Sequence, residues 1–452
     1  MSMAVSTAKV DITPSLDANP YMAGYGCDRD PRRATTAAPY REPLTARCVL
    51  LWDGDTPNAI VSAEVLAFPR AMHQRIRRRV LPLSASWRTG NFVLLATHTH
   101  NGPVLVDKLD PWIAYNLTGT GLDQVVAYSA SLETAIVELV KTALAAPRTE
   151  CTLDYTVADE DFAYNRERLR YVERAVPILT ARRRDGAPVA VIFSYGCHPV
   201  AAGWQTRFDG DWIGGACGHL ETALPGAFPL FVHGPSADQN PKVLSLEARD
   251  IYARDLGETV RNAIARPGRP LTGPIATSLT EVDLPLDVTP TKENLDAVRK
   301  AFEVRAGRGD LHGWYHRHAA EMIKWIDQRR VPTAVTVPIQ VWKLPGGGGG
   351  PMLRIALTGG EVVSGYGEYF RLHHGGPTGI WFGGYANEIE AYIPTDELLP
   401  PKYPGGSYDG GWDSDAPGIG GGSMTVYCWP AHFKAGGGGA EEAFIGAIRD
   451  QL

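Results

Sequence analysis

The chain of 452 residues carries 44 Lys+Arg against 50 Asp+Glu, a formal net charge of −6 with a pI near 6.1, which excludes the basic excess that phosphate-driven nucleic-acid binding requires. Hydrophobic residues make up 44% and charged residues 21%, enough to bury a large core and inconsistent with broad disorder. No basic segment precedes an apolar one at the N-terminus and no run of ~18 apolar residues occurs, so a soluble cytoplasmic protein without a stable membrane anchor is expected. The scattered cysteines (Cys27, Cys48, Cys151, Cys197, Cys217, Cys428) contain no CxxC pair and suit a reducing compartment.

In chain order, short strands are expected at Ala8–Ile12, Ala46–Trp52, Ala59–Ala63 and Phe92–Ala96, each closed by turn residues. The segment Arg70–Leu81 reads as a helix between the last two, giving the strand, helix, strand alternation of an α/β sheet. Apolar residues recur at helical spacing through Leu122–Ala146, a helix expected to cover one face of that sheet. Ala187–Cys197 and Pro229–His233 are apolar runs of strand length, and the exits of such buried strands are where α/β enzymes place their chemistry. Helices follow at Glu293–Val304 and His318–Gln328, then strands at Thr333–Trp342 and Met352–Leu357. The five glycines Gly346–Gly350 between those strands read as a mobile surface hairpin rather than a phosphate cradle, because no Lys-Ser/Thr follows. A short helix, Ala440–Leu452, closes the chain, and neither a repeat nor a linker divides it.

Three strand exits carry candidate chemistry. Leu94-Leu95-Ala96-Thr97-His98-Thr99-His100 ends a strand in histidines at i and i+2, which pleat alternation would turn to one side; alone, the pair is compatible with an incidental role as well as with metal binding. Ser194-Tyr195-Gly196-Cys197-His198-Pro199 delivers another histidine, which by itself could be a hydrogen-bonded core residue. Thr358-Gly359-Gly360-Glu361 presents a carboxylate from a Gly-Gly turn, either as a solvated surface group or as a ligand. Asp209, Asp211, Asp238 and Asn240 are less distinctive, and His312, His316 and His318 read as a helix face rather than a metal site. HExxH, GxSxG, Walker A and helix-opening GxGxxG motifs are absent.

Read in order, VDITP…MAGYG, ATHTHNGP, NRERLRYV, GCHP, GPSADQNP, TGGEVVSGYG and GYANEIEAYIPT resemble the N-terminal catalytic domain of the neutral ceramidase family, from about residue 8 to about residue 412. The resemblance implies a multilayer mixed-sheet α/β catalytic domain flanked by helices, with its active site at strand ends. It further implies that residues 1–452 form one such domain, without the family's C-terminal immunoglobulin-like domain. It also implies a zinc-dependent amidase with one Zn²⁺ held by His98, His198, Glu361 and Tyr392. His100 matches a substrate-facing histidine and Arg166 the arginine of an NRSP-like segment. Tyr408 in SYDGGW matches a further active-site tyrosine, with Tyr403 as the competing position. Asp238 is kept from the family's GDxSPN motif, but Asn240 stands where ceramidases have a substrate-contacting serine.

Two imidazoles, a carboxylate and a phenolate suit Zn²⁺ and leave a position for water, whose pKa falls to about 7 on the metal. A dication also stabilises the phenolate of a tyrosine, whose ordinary pKa is about 10. A hydroxide nucleophile then needs no serine, His100 can serve the oxyanion or the leaving amine, and Arg166, Asp238, Asn240 and Tyr408 orient the substrate. The expected substrate is a small N-acyl compound that need not be ceramide. An esterase or lactonase on the same scaffold, or a non-catalytic binding protein, are the alternative readings.

Overall fold

The computed structural model describes residues 3–25, 31–35, 39–107, 112–113 and 115–452. Cys27 and the last glycine of MAGYG, Gly26, lie outside them; the other five cysteines are free thiols. The first stretch of chain forms strands β1 (Met3–Asp11), β2 (Thr45–Asp53), β3 (Thr56–Ala63) and β4 (Phe92–Ala96), with helix α1 (Arg70–Val80) between β3 and β4 and α2 (Gly119–Ala145) after them. Next come β5 (Thr149–Asp159), β6 (Ala163–Asn165), β7 (Ala175–Arg182), β8 (Pro188–Tyr195), α3 (Asp211–Ala223), β9 (Phe228–His233), β10 (Gln239–Pro241) and α4 (Leu246–Ala263). A third stretch gives β11 (Arg269–Leu271), β12 (Ala276–Pro285), α5 (Lys292–Ala306), α6 (Gly313–Asp327), β13 (Ala334–Leu344) and β14 (Leu353–Thr358). The last comprises β15 (Glu361–Val362), α7 (Ser364–His373), β16 (Ile380–Gly383), β17 (Tyr392–Ile393), α8 (Ser423–Val426) and α9 (Ala440–Arg449).

Two mixed sheets dominate. The larger runs β4-β3-β2-β1-β5-β7-β8-β9, with β11 added beside β5; the smaller runs β12-β13-β14-β16. The β3/β4 and β8/β9 pairs are parallel, as crossover connections through α1 and α3 permit. Side-chain alternation separates the two faces of β2: Cys48 and Leu50 pack with Met72 and Ile76 of α1 and Ile136 of α2, whereas Val49 and Leu51 meet Trp342 and Ile355 of the smaller sheet. On β8 and β9, Phe193 and Phe231 pack against Trp212 of α3 and Leu256 of α4. The far face of the smaller sheet receives Phe370 of α7 and Phe444 of α9. The resulting order is helices, sheet, sheet, helices, the multilayer mixed α/β arrangement expected from the sequence.

One feature of the larger sheet positions the site. Although β4 and β9 stand at opposite ends of the strand order, the sheet curls so that β9 lies against β3 and β4. The segment after β16 bridges the two edges. The Gly384 N–H donates to the His233 carbonyl (3.2 Å), the Ala96 N–H donates to the Tyr385 carbonyl (3.2 Å), and Ala386 forms an isolated bridge with Leu95. The exits of β4, β8 and β9 therefore open onto a common volume. The glycine-rich turn between β13 and β14 is the expected hairpin, and Gly346 bridges Leu271 of β11.

Behind this volume Glu64, just past β3, is buried with its Oε2 accepting the Thr45 N–H at 2.6 Å. Burial pushes its pKa up to about 7 against the opposing pull of Arg47. In the unfolded chain the same carboxyl ionises near pH ~4.3, so its contribution to stability is fully present below that value and is lost as pH rises towards 7. Glu64→Gln keeps an oxygen for Thr45 and removes the charge. It should raise the melting temperature relative to the parent more at pH 8 than at pH 5, and equal shifts in thermal unfolding at the two pH values would contradict this account.

Candidate metal centre

β4 stops at Ala96, and the next residues form a loop in which His98 adopts a left-handed φ of 66°, a costly conformation for a residue with a side chain. Two bonds hold it: the Thr97 N–H donates to Ala63 O and the His98 N–H to Val65 O, both at 2.9 Å. This corrects the expectation from strand alternation. The strand ends two residues before His98, and the loop, not the pleat, brings Nε2 of His100 to 3.3 Å from Nε2 of His98. Gly24, with φ of 98°, allows this loop to fold down, since a Cβ there would lie 2.5 Å from the His100 Cα.

His198 follows β8, its N–H donating to Gln239 O at 2.8 Å. Glu361 opens β15 directly after Gly360, whose φ of 81° and close approach to Ile393 both demand glycine. In the parallel β15/β17 pair Glu361 stands opposite Tyr392. The three strand exits singled out in the sequence thus meet.

Their side chains converge on one point. Nδ1 of His98 lies 2.7 Å from Leu66 O, and Nδ1 of His198 lies 2.9 Å from Ser236 O. A carbonyl only accepts, so both Nδ1 atoms carry the proton and both Nε2 atoms present lone pairs. Those two Nε2 atoms are 3.2 Å apart, and Oε2 of Glu361 lies 3.1 Å from the first and 3.4 Å from the second. This Oε2 is buried and has no hydrogen-bond partner among the described residues. A tetrahedral ion with bonds of ~2.0–2.1 Å separates its ligand atoms by roughly 3.3 Å, so this triangle fits a divalent cation such as zinc. Burial lowers the His198 pKa to about 4, and burial together with His98 and His198 lowers that of His100 well below the usual imidazole range. These rings are neutral at pH 7, as metal ligation requires. The histidines His98, His100 and His198 form a group able to hold a metal ion.

Glu361 is held from behind. The Tyr427 hydroxyl donates to its Oε1 at 2.6 Å, leaving Oε2 to face the histidines. Tyr385 packs its ring 4.7 Å from that of His98 and stacks on His233 at 4.1 Å. The Ser236 hydroxyl donates to the Tyr385 hydroxyl at 2.9 Å, so one residue steadies both that wall and His198. Motif reading did not single out Tyr427, Tyr385, His233 or Ser236. Tyr385 and Ser236 at least lie within motif segments, whereas nothing local marks Tyr427.

Arg166 ion-pairs with buried Asp409 and donates from Nη2 to the Tyr392 hydroxyl at 3.3 Å. Burial, reinforced by Glu361, pushes the Tyr392 phenol well above its usual range, with Arg166 opposing; its ionisation would need a nearby cation. Tyr408 lies beside this pair, its ring 5.6 Å from that of Tyr392 and 5.4 Å from the Arg166 Cζ. Tyr403 instead donates to Glu167 O at 2.8 Å, so Tyr408 is the tyrosine adjoining the site.

Asp238, expected to orient the substrate, is engaged by groups of the protein itself. Its carboxylate accepts from the Ser364 N–H (2.7 Å), the Ser364 hydroxyl (2.7 Å) and the Asn165 amide (2.8 Å), while its carbonyl accepts the Arg166 N–H (2.7 Å). Asp238 therefore ties β6 and β10 to the start of α7. Asn240 pairs with Tyr164 in the β6/β10 ladder, and its Oδ1 is buried without a hydrogen-bond partner among the described residues. His316 and His318 bond carbonyls of Ala306 and Trp429 on the α5/α6 side of the molecule.

Fold and cluster together describe a multilayer α/β protein with a buried imidazole–carboxylate centre at its strand ends. The same fold occurs in the neutral ceramidase from Pseudomonas aeruginosa, with a TM-score of 0.66 and 17% identity over 94% of this chain and 72% of that one. A ceramidase complexed with C2 also has a TM-score of 0.66, with 14% identity over 100% of this chain and 76% of the other. At these identities the likeness is one of fold. No protein-family model and no curated protein matches the chain.

Removing the Tyr427 hydroxyl frees Glu361 to rotate. In Tyr427→Phe, zinc affinity measured by competition with a chromogenic chelator should fall by on the order of 10–100-fold, as for other outer partners of metal ligands. Unchanged affinity would show that the clamp is unnecessary.

Proposed function

We propose that this protein is a zinc-dependent hydrolase of linear amide (N-acyl) bonds. The observation that carries the reading is the triangle of His98, His198 and Glu361, in which two fixed tautomers and an unpartnered carboxylate oxygen aim at one point. The ceramidase fold of the solved relatives and the motif resemblance support amide cleavage as the reaction. In this reading His98, His198 and Glu361 hold one zinc ion, with Tyr392 as the fourth protein ligand. A bound zinc ion supplies a Lewis acid for the scissile carbonyl and acidifies a water molecule.

The remaining residues act on the substrate and on protons. His100, neutral through burial and with its Nε2 3.3 Å from that of His98, is placed to accept a proton at Nε2 and pass it to the departing amine. Its Nδ1 is buried and has no hydrogen-bond partner among the described residues, so none of them locks the ring by a second bond. Asp409 fixes the Arg166 guanidinium, which leaves a cation beside Tyr392 where negative charge develops. Asn240 offers an unpartnered amide oxygen in place of the hydroxyl found in ceramidases. The substrate accordingly need not be ceramide.

Two measurements test this. Metal analysis of purified His98→Ala and Glu361→Ala should show loss of bound zinc together with at least ~100-fold lower activity, a range consistent with lost electrostatic stabilisation. Full zinc occupancy in both variants would overturn the ligand set. A panel of matched N-acyl amides and esters, assayed with and without a chelator, should show chelator-sensitive, zinc-restored cleavage of the amides; cleavage of esters alone would reassign the protein as an esterase.

A further inference from the structure

A cavity of about 540 Å³ opens on the far side of Tyr408, a volume in the range of small-molecule sites. Its walls come from α5 and α6 on one side and from the loop between residues 405 and 417 on the other, with Arg305, Arg308, Tyr315, Tyr408, Asp413 and Asp415 as polar groups set among apolar surface. Tyr408 is 46% exposed and belongs to both places: it lines the cavity, and its ring contacts Tyr392 and Arg166. A single aromatic ring therefore separates the cavity from the residues that adjoin the metal centre.

The chemistry of the walls selects the occupant. The two guanidinium groups are offset by Asp413 and Asp415 on the walls and by Asp310 beside Arg308, so an anionic ligand gains no net attraction. Arg305 is buried and committed, bonding Gly420 O and, at 3.3 Å, Asp413; Arg308 is paired with Asp310 at 2.6 Å. By contrast, the hydroxyls of Tyr315 and Tyr408 and the carboxylate of Asp415 make no hydrogen bond to any described residue. An alkyl chain seated here would strip water from those groups and from the charged pairs without replacing its bonds, which is costly. Hydroxyl groups both donate and accept, and so can satisfy phenols, a carboxylate and the outer guanidinium N–H groups together. The apolar C–H face of a polyol can at the same time lie on the exposed Tyr408 ring.

We propose that this cavity is a subsite for an uncharged, hydroxyl-rich component of the substrate, such as a sugar or polyol carrying the N-acyl group. The proposal rests on the amidase reading for the position of the scissile bond, but its test does not require turnover. N-Acetylglucosamine, N-acetylbutylamine and N-acetylglycine serve as polyol, alkyl and anionic probes, and their affinities for the intact protein are measured by calorimetry or saturation-transfer NMR. Two variants block the subsite without touching the core. Val304→Trp starts from a residue that is 63% exposed and lines the cavity, and Asp415→Ala removes an acceptor.

The polyol probe should bind most tightly of the three, and each variant should weaken it by at least ~10-fold. A tighter alkyl or anionic probe, no binding of any probe, or polyol affinity within twofold of the parent in both variants would overturn the proposal. Retained polyol binding in a protein that cleaves no amide would instead count against the amidase reading and leave the subsite standing.

Discussion

The arrangement of this protein turns on an electrostatic problem: two lone-pair nitrogens and a carboxylate oxygen held 3.1–3.4 Å apart in a buried site. Without positive charge between them, such atoms repel one another, and burial denies them the water that would offset the repulsion. The imidazoles do not supply the charge, because their Nδ1 protons point outward to Leu66 O and Ser236 O and burial keeps His198 neutral at pH 7. The rest of the molecule must therefore hold these groups where they would otherwise separate. It does so with backbone carbonyls, with the Tyr427 clamp on Glu361 and with the left-handed His98. Strain concentrated in this way at one spot is what a binding site for a cation requires.

Sheet curvature makes the convergence possible. In a flat sheet the exits of β4 and β8 would lie far apart, since five strands lie between them in the strand order. Bringing β9 back against β3 and β4, and joining the edges through residues 384–386, closes that distance. The closing segment also contributes to the histidine cluster directly. Tyr385, whose carbonyl accepts the Ala96 N–H, places its ring on His98, so the residue that completes the fold also forms the back of the site.

Much of this was legible in the sequence, for identifiable reasons. Phe92–Ala96 and Pro229–His233 are apolar because both faces are covered, and such strands announce themselves without alternation. The chemistry at the exits was also visible, because His98, His198 and Glu361 each follow an apolar strand within a few residues. Strands β5 and β12 were not legible: TECTLDYTVAD and ATSLTEVDLP mix polar and apolar residues, as half-exposed strands do. The geometry at His98 was also hidden, since a left-handed residue depends on bonds to Ala63 and Val65 more than thirty positions away. Tyr427 was out of reach for a related reason. Its role comes entirely from meeting Glu361 across 66 residues of chain, and a tyrosine in an ordinary helical turn carries no local mark of that.

The buried carboxylates show how environment, rather than residue type, assigns function. The Asp238 carboxylate accepts three hydrogen bonds, and the Asp409 carboxylate receives the Arg166 guanidinium while its own N–H donates to Oε1 of Glu167. Both have their carboxylate oxygens taken up by partners within the protein. Unlike these two, Glu361 keeps an oxygen without a hydrogen-bond donor among the described residues, and that oxygen faces the histidines. A motif marks all such acids equally, because it records identity and not partners. What distinguishes Glu361 from these two acids is the bond one of its oxygens does not make, and that oxygen is kept facing the histidines by the bond Tyr427 makes to the other.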